Sequence, residues 1–250
     1  MWPQNRDPHA LQRAYWASLD RAHFDWQTGN PYIAAPEREL LDALVVQPGD
    51  SVLEVGCGEG ANLRNLAPRL AGAAVFAVDF SLPKAAFAAA EGRPTACADA
   101  TRLPFRDSAF DAVLVRDLLH HVPARSQVLS EIARVLKPGG RFAVIEPNGR
   151  NPIIAAMAML IPAERGMLAS RPARALEEAR AVGLAGLRIE ERQPMPLSRV
   201  LLHYRLGLPG LARFAAARAV LRALERAAQW LPRSLWSYFV LSGERPTQPR

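Results

Sequence analysis

Three glycines, Gly56, Gly58 and Gly60, fall within five positions directly behind the apolar run 52–55. Such a turn lets a ligand approach the backbone closely, and a helix following it offers its positive end to an anion. Gly56, Gly58 and Ala61 fit the dinucleotide pattern G-x-G-x-x-G/A, and Asp79 stands about 20 residues on, where an acid holds a ribose diol. Other features turn the reading away from nicotinamide. Asp99 and Ala100 close a third short apolar run, a place from which a carboxylate can accept a hydrogen bond from an exocyclic adenine amine. Phe80 and Ala133 stand four residues before Lys84 and Lys137, the only two lysines, so the chain has no Tyr-x-x-x-Lys pair. Glu54 precedes the glycines by two, which suits a cationic ligand better than a pyrophosphate.

Strands must carry these residues. Seven apolar or β-branched runs occur, at 52–55, 74–79, 95–98, 110–115, 141–146, 187–191 and 236–241. Helical segments fall between the first six, at 60–70, 81–91, 123–136 and 171–182, with a further one after 115. The alternation predicts βαβ units and a mainly parallel sheet covered on both faces, with a ligand beyond the carboxyl ends of the strands where strand order reverses. Ser81 and Pro83 mark a helix start, and KPGG at 137–140 stops a helix and turns the chain into a strand. Residues 8–46 read as helical, with Leu40, Leu41, Leu44 and Val45 at helical spacing. The seventh run breaks the pattern, because an amphipathic helix at 211–231 precedes it. Phe214, Ala217, Leu221, Leu224, Ala228 and Leu231 form its apolar stripe, with Arg218, Arg222 and Arg226 on the far side. Such a helix packs on the domain as a cap, the default for a globular protein, or lies on a membrane surface.

The 250 residues, 50% of them hydrophobic, can fill one large α/β core or two small ones. The formal net charge of +7 is concentrated: nine arginines between 199 and 250 face only Glu225 and Glu244. Biased codon usage accounts for this as readily as an interaction surface does, since lysine is nearly absent and alanine abundant. Cys57 and Cys97 cannot make a four-thiolate zinc site or an iron–sulfur cluster, and read as small buried residues, so no metal is expected. No secretory or transit signal of the usual kind is visible. The longest apolar run, 153–161, is about half the ~20 residues of a membrane-spanning helix. A soluble, cytoplasmic protein is expected, with helix 211–231 as its one route to peripheral membrane contact.

Four segments in order, LEVGCGEG (53–60), VFAVDFS (75–81), CADATRLPFRDSAFDAVLVRDLLHHV (97–122) and LKPGGRFAVIEPN (136–148), give the chain its resemblance to the class I S-adenosylmethionine-dependent methyltransferases. The resemblance implies a Rossmann-like, doubly wound α/β fold. Its seven-stranded mixed sheet has the order 3-2-1-4-5-7-6 with the last strand antiparallel, and WSYFVLSGER looks like that strand. It divides the chain into an N-terminal helical cap (1–48), a cofactor-binding core (49–192), a helical insert shaping the substrate site (193–234), and a final strand with tail (235–250). The implied cofactor is S-adenosyl-L-methionine. Glu54 and the backbone of Gly56, Cys57 and Gly58, with Gly60 completing the turn, would hold its amino acid end. Asp79 would hold the ribose hydroxyls, and Asp99 with Ala100 the adenine amine. Phe80 would pack on the adenine ring and Arg116 would lie against the methionine portion, largely through its backbone. Asp79 and Asp99 would otherwise be helix caps or turn carboxylates.

Methyl transfer from a sulfonium is a direct displacement, so the protein mainly aligns acceptor, methyl and sulfur and excludes water; a base is needed only if the acceptor must lose a proton. His121 is the first candidate base, with His120 beside it and Glu146 second, all at the carboxyl edge of the sheet. A structural or cofactor-side role competes for the histidines. His203 and Tyr204 in the insert could line an acceptor pocket. The chain has RDLLHH where the family's nucleic acid amino-methylating enzymes carry Asn/Asp-Pro-Pro-Tyr, and neither cysteine follows a proline as cytosine C5 chemistry requires. That leaves a small-molecule acceptor. NPIIAAMAMLIP (151–162) and the 193–234 insert suit a lipophilic one, such as a quinone, polyketide, terpenoid or lipid, unless they pack on each other as a lid. The alternatives are an RNA or DNA methyltransferase using the arginine-rich end, and an inactive S-adenosylmethionine-binding protein.

Overall fold

The computed structural model describes residues 14–205 and 207–247, so the part of the expected N-terminal helical stretch before residue 14 lies outside the described residues. The seven apolar runs form seven strands: β1 (Ser51–Val55), β2 (Ala74–Asp79), β3 (Thr95–Cys97), β4 (Phe110–Arg116), β5 (Leu136–Pro147), β6 (Ala185–Arg192) and β7 (Tyr238–Glu244). They make one sheet of order β3-β2-β1-β4-β5-β7-β6. β1 to β5 run parallel, and β7 is antiparallel to both β5 and β6.

The central strands are uninterrupted apolar runs because both of their faces are covered. Ala112 and Leu114 of β4 point to one side, where Leu40, Leu41 and Leu63 meet them; Val113 and Val115 point to the other, onto Leu129, Ile132 and Ala175. The first layer comprises α2 (Pro31–Leu41) and α3 (Ala61–Leu66), with α1 (Arg21–Gly29) before them and α4 (Leu82–Ala90) after. The second is α5 (Arg125–Val135) with α7 (Pro172–Ala181). Between them in sequence comes α6 (Pro152–Leu160), and α8 (Leu197–Leu201) and α9 (Ala215–Ala227) complete the 193–234 insert.

Several expectations change in detail. Helix 60–70 stops at Leu66 and gives way to turns, and the segment after β4 is a single 3-10 turn, Leu119–His121. KPGG does not precede β5 but is looped out inside it, since the register jumps from Phe110↔Leu136 to Ala112↔Arg141. Val45 lies past the end of α2 and stays exposed. Cys97, expected to be buried, is exposed because β3 is the edge strand; Cys57 is buried. On α9 only Leu221 of the expected stripe is buried, against Trp26, Ile33 and Leu202, whereas Phe214 and Leu224 remain exposed. Among the described residues no helix is long and apolar enough to cross a membrane.

Candidate active site

A cavity of about 960 Å³ opens at the carboxyl edge of the sheet. One end is formed by the turn after β1. Gly58 has φ +52 and nothing within 4 Å of where a Cβ would be, so the chain turns there beside open space. The amides of this turn are spent internally: Gly56 N–H and Cys57 N–H donate to Val78 O, at 2.8 and 3.0 Å, and Gly58 N–H donates to Asp79 Oδ2 at 2.8 Å. A pyrophosphate would need those donors. The turn therefore contributes shape and closeness rather than an anion cradle, which also amends the expectation that these amides hold a carboxylate. Gly60 does not line the cavity; it caps α3 and packs on Ala88 of α4.

Asp79, Phe80, Asp99 and Ala100 line the same end. Asp79 ends β2 and accepts a second amide, from Ser81 at 2.9 Å; burial raises its pKa, and the two N–H bonds counter part of that. Asp99 is exposed and accepts from Thr101 N–H at 2.8 Å and Thr101 Oγ1–H at 2.7 Å through one oxygen, Oδ1. Both carboxylates thus organise their turns and also face the cavity.

Glu54 and Arg116 belong to a buried relay. Asn62 Nδ2 donates to Glu54 Oε1 at 2.7 Å, and Arg116 Nη1 donates to Asn62 Oδ1 at 3.1 Å. Arg116 also pairs with Glu37, which takes a further bond from Arg199 Nη1 at 2.9 Å. Arg116, Asn62 and Arg199 reach the cavity; Glu54 sits behind Asn62, fully buried, with Oε2 unpartnered. Burial pushes the Glu54 carboxyl up to about 8, against the pull of Asn62 and Arg116, so it is protonated at neutral pH while no cation approaches.

The histidines sit on the opposite side of the cavity. Glu146, at the end of β5, accepts the amides of Leu118 and Leu119 at 2.8 Å each and that of His120 at 3.2 Å, and bonds His120 Nδ1 at 2.7 Å. It does not line the cavity, and both its oxygens are occupied, so it is a positioning group for the 3-10 turn rather than the second base expected from the sequence. The other face of His120 meets Glu164 on the 3-10 segment Pro162–Ala169, with Nε2 at 3.4 Å from Oε2. This approach requires Gly166, where any Cβ would stand 1.7 Å from His120 O. Burial alone would lower the His120 pKa, but Glu146 and Glu164 outweigh it and raise the value to about 10. His120 is therefore an imidazolium, already protonated and unable to act as a base at neutral pH. His121 lies beside it, the two rings tilted by 46° with centroids 3.9 Å apart, and meets Trp16 edge-on at 5.1 Å. Burial and the charge on His120 lower His121 to about 4, leaving it neutral, with Nδ1 unpartnered and Nε2 3.9 Å from Glu164. One donor atom from each of His120, His121 and Glu164 lies within 4.8 Å of the others, a set that would also accept a divalent cation if His120 gave up its proton.

The remaining wall is apolar and aromatic. Ile154 and Met157 of α6, with Ile161 and Met167 beyond it, face Val200 and Tyr204 from the insert; His203 also lines the space. Sequence reasoning missed Trp16, Asp20, Glu37, Lys84, Glu164 and Arg199. Lys84 carried a signal: one of only two lysines, it is buried against Glu59 at 3.3 Å and lies over the Trp16 ring at 4.9 Å. Nothing local marks Glu37 or Glu164, whose partners lie far away in sequence.

A methyltransferase-domain family model matches residues 53–144, from β1 to within β5. Residues 53–144 thus carry a methyltransferase domain, and the sheet order around it is that of the class I S-adenosylmethionine-dependent methyltransferase fold. The glycine turn, Asp79, Asp99 and both histidines lie inside the matched domain, whereas Glu146, Glu164 and Arg199 lie beyond it. A demethylmenaquinone methyltransferase of Mycolicibacterium vanbaalenii is 42% identical over 109 residues, 44% of this chain and 47% of that protein. The chain thus spans about half the length of such relatives. Among solved structures, phosphoethanolamine N-methyltransferase 2 of Haemonchus contortus in complex with S-adenosyl-L-methionine has a TM-score of 0.70 at 20% identity, covering 97% of this chain and 61% of that one. Geranyl diphosphate methyltransferase gives a TM-score of 0.66 at 17% identity, covering 95% and 99%. At these identities the structural likeness is one of fold.

Proposed function

We propose that the protein transfers a methyl group from S-adenosyl-L-methionine to a small lipophilic acceptor, of quinone type in the first instance. The observation that carries this reading is the continuity of the cavity, which joins the Asp79–Asp99 end to an apolar wall bearing a neutral histidine. Its volume lies near the top of the roughly 300–1,000 Å³ of ligand pockets, room for cofactor and acceptor together. The residues present fit the cofactor: spent amides leave no phosphate cradle, and the Asp79 and Asp99 carboxylates line the cavity as acceptors for hydroxyl and amine donors. The relative named for a demethylated quinone, 42% identical over 109 residues, supports that acceptor class.

The bound cofactor would supply an electrophilic methyl on a sulfonium for direct displacement by the acceptor. Asp79 and Asp99, which line the cavity, would hold the adenosine side, and Phe80 beside them would pack on its ring. Trp16, Met157 and Val200 exclude water and orient the acceptor. His121 takes the acceptor's proton, and Glu164 shares the resulting charge beside the His120 imidazolium.

Incubating the protein with methyl-labelled S-adenosylmethionine and fractionated cell extract tests the reading. Label in the organic phase supports it. Label in RNA or DNA alone, or binding of S-adenosylhomocysteine with no labelled product in any fraction, overturns it in favour of nucleic acid methylation or an inactive binding protein.

A further inference from the structure

The inner side of the 193–234 insert lines the cavity, while its outer side carries α9, where apolar residues collect on the surface. Leu201, Leu208, Phe214, Val220, Leu224 and Trp230 are six of the fifteen large apolar side chains exposed among the described residues, all within one stretch of thirty. Scattered exposed leucines need no explanation, but a concentration of them does.

The helix geometry sorts this surface. Leu221 points inward to Trp26 and Leu202. At 3.6 residues per turn, Leu224 and Val220 lie about 60° and 100° round one flank from it. They are 50% and 58% exposed, and the exposed alanines 216, 223 and 227 continue the same face. Arg218 and Arg222 lie on the other flank, with Arg226 beyond them. Trp230, 92% exposed, follows the helix, and Arg213 and Arg233 border it. Around the helix Arg213, Arg218, Arg222, Arg226 and Arg233 face only Glu225.

We propose that α9 and its flanks dock on an anionic lipid bilayer, the open apolar face entering the acyl boundary and the exposed Arg213, Arg222, Arg226 and Arg233 reaching headgroup phosphates. Charge decides the occupant. A second copy would oppose one arginine row with another, and a phosphate backbone has no use for the Val220–Leu224 face. Docking places the bilayer against the layer whose other side is the acceptor wall. The inference rests on this surface alone and stands whatever the protein methylates.

Co-sedimentation of the full chain with extruded vesicles, phosphatidylcholine with or without phosphatidylglycerol, tests it without cofactor or acceptor. Two variants are compared, R222Q/R226Q and V220S/L224S/W230S, each checked by circular dichroism for a wild-type fold. The expected result is binding only to phosphatidylglycerol vesicles, weakened by salt and by ~10-fold or more in each variant. No binding at low salt, equal binding to neutral vesicles, or binding that both folded variants retain overturns the proposal. So does a homodimer, seen by sedimentation, that the apolar variant dissolves.

Discussion

The two ends of the cavity are built on opposite plans. The cofactor end is local: a turn, two strand-end carboxylates and an aromatic ring, each within a few residues of a parallel strand and bonded to neighbours in sequence, as Asp79 is to Ser81 and Asp99 to Thr101. The acceptor end is gathered from afar. His120 and His121 follow β4, Glu146 ends β5, Glu164 follows α6, and Val200 and Tyr204 come from the insert. In the first arrangement the proposed binding groups are held by their own turns. The second stores charge in a buried imidazolium between two carboxylates so that the neighbouring imidazole stays neutral.

If that contrast is right, the largest effect should come from Glu146→Ala. It strands a buried imidazolium and three amides, and urea denaturation should register about 3–5 kcal/mol of lost stability. A change below 1 kcal/mol would mean that His120 is not charged. His121→Ala should lower kcat by ~10²-fold while leaving S-adenosylhomocysteine affinity near wild type, read by calorimetry and initial rates. Equal losses in both quantities would erase the division between the ends. Asp99→Ala should do the reverse, weakening S-adenosylhomocysteine by about tenfold, the worth of one charge-assisted hydrogen bond, with little change in stability.

The smallest effect sharpens the picture through pH. His120, raised to about 10, and Glu54, raised to about 8, both hold protons in the folded state that the unfolded chain releases earlier. Folded protein therefore binds more protons than unfolded between pH 6.5 and 8, and stability should fall as pH rises through that window. Glu54→Gln should flatten the slope between about pH 5 and 8 without removing the His120 contribution above it, as chemical denaturation at stepped pH will record.

That Gly58, Asp79 and Asp99 come together at one end of the cavity was legible in the sequence for the same reason that this end is local. Gly58, Asp79 and Asp99 are marked by their places at the ends of apolar runs, and seven such runs with one helical interruption give the sheet. Glu54 was legible as a charge but not as a group hidden behind Asn62, because burial by a neighbour eight residues on leaves no pattern. Glu146 was found and misassigned: a strand-end carboxylate suits a base, and only the turn folded over it shows that its lone pairs are taken. Glu164 was invisible, since its approach depends on a glycine passing against a carbonyl more than forty residues away. The stripe on α9 was a pattern without a depth, for periodicity gives the direction of a side chain and not whether anything covers it.

The position of β7 has a consequence for how the molecule is made. β6 touches the rest of the sheet only through β7, which slots between it and β5. During vectorial synthesis β6 has no edge to pair with until the residues up to Glu244 have emerged, although β1 to β5 can already assemble. The nascent protein thus passes through a stage with the unpaired edge of β5 open, a window in which a holding chaperone would find its target.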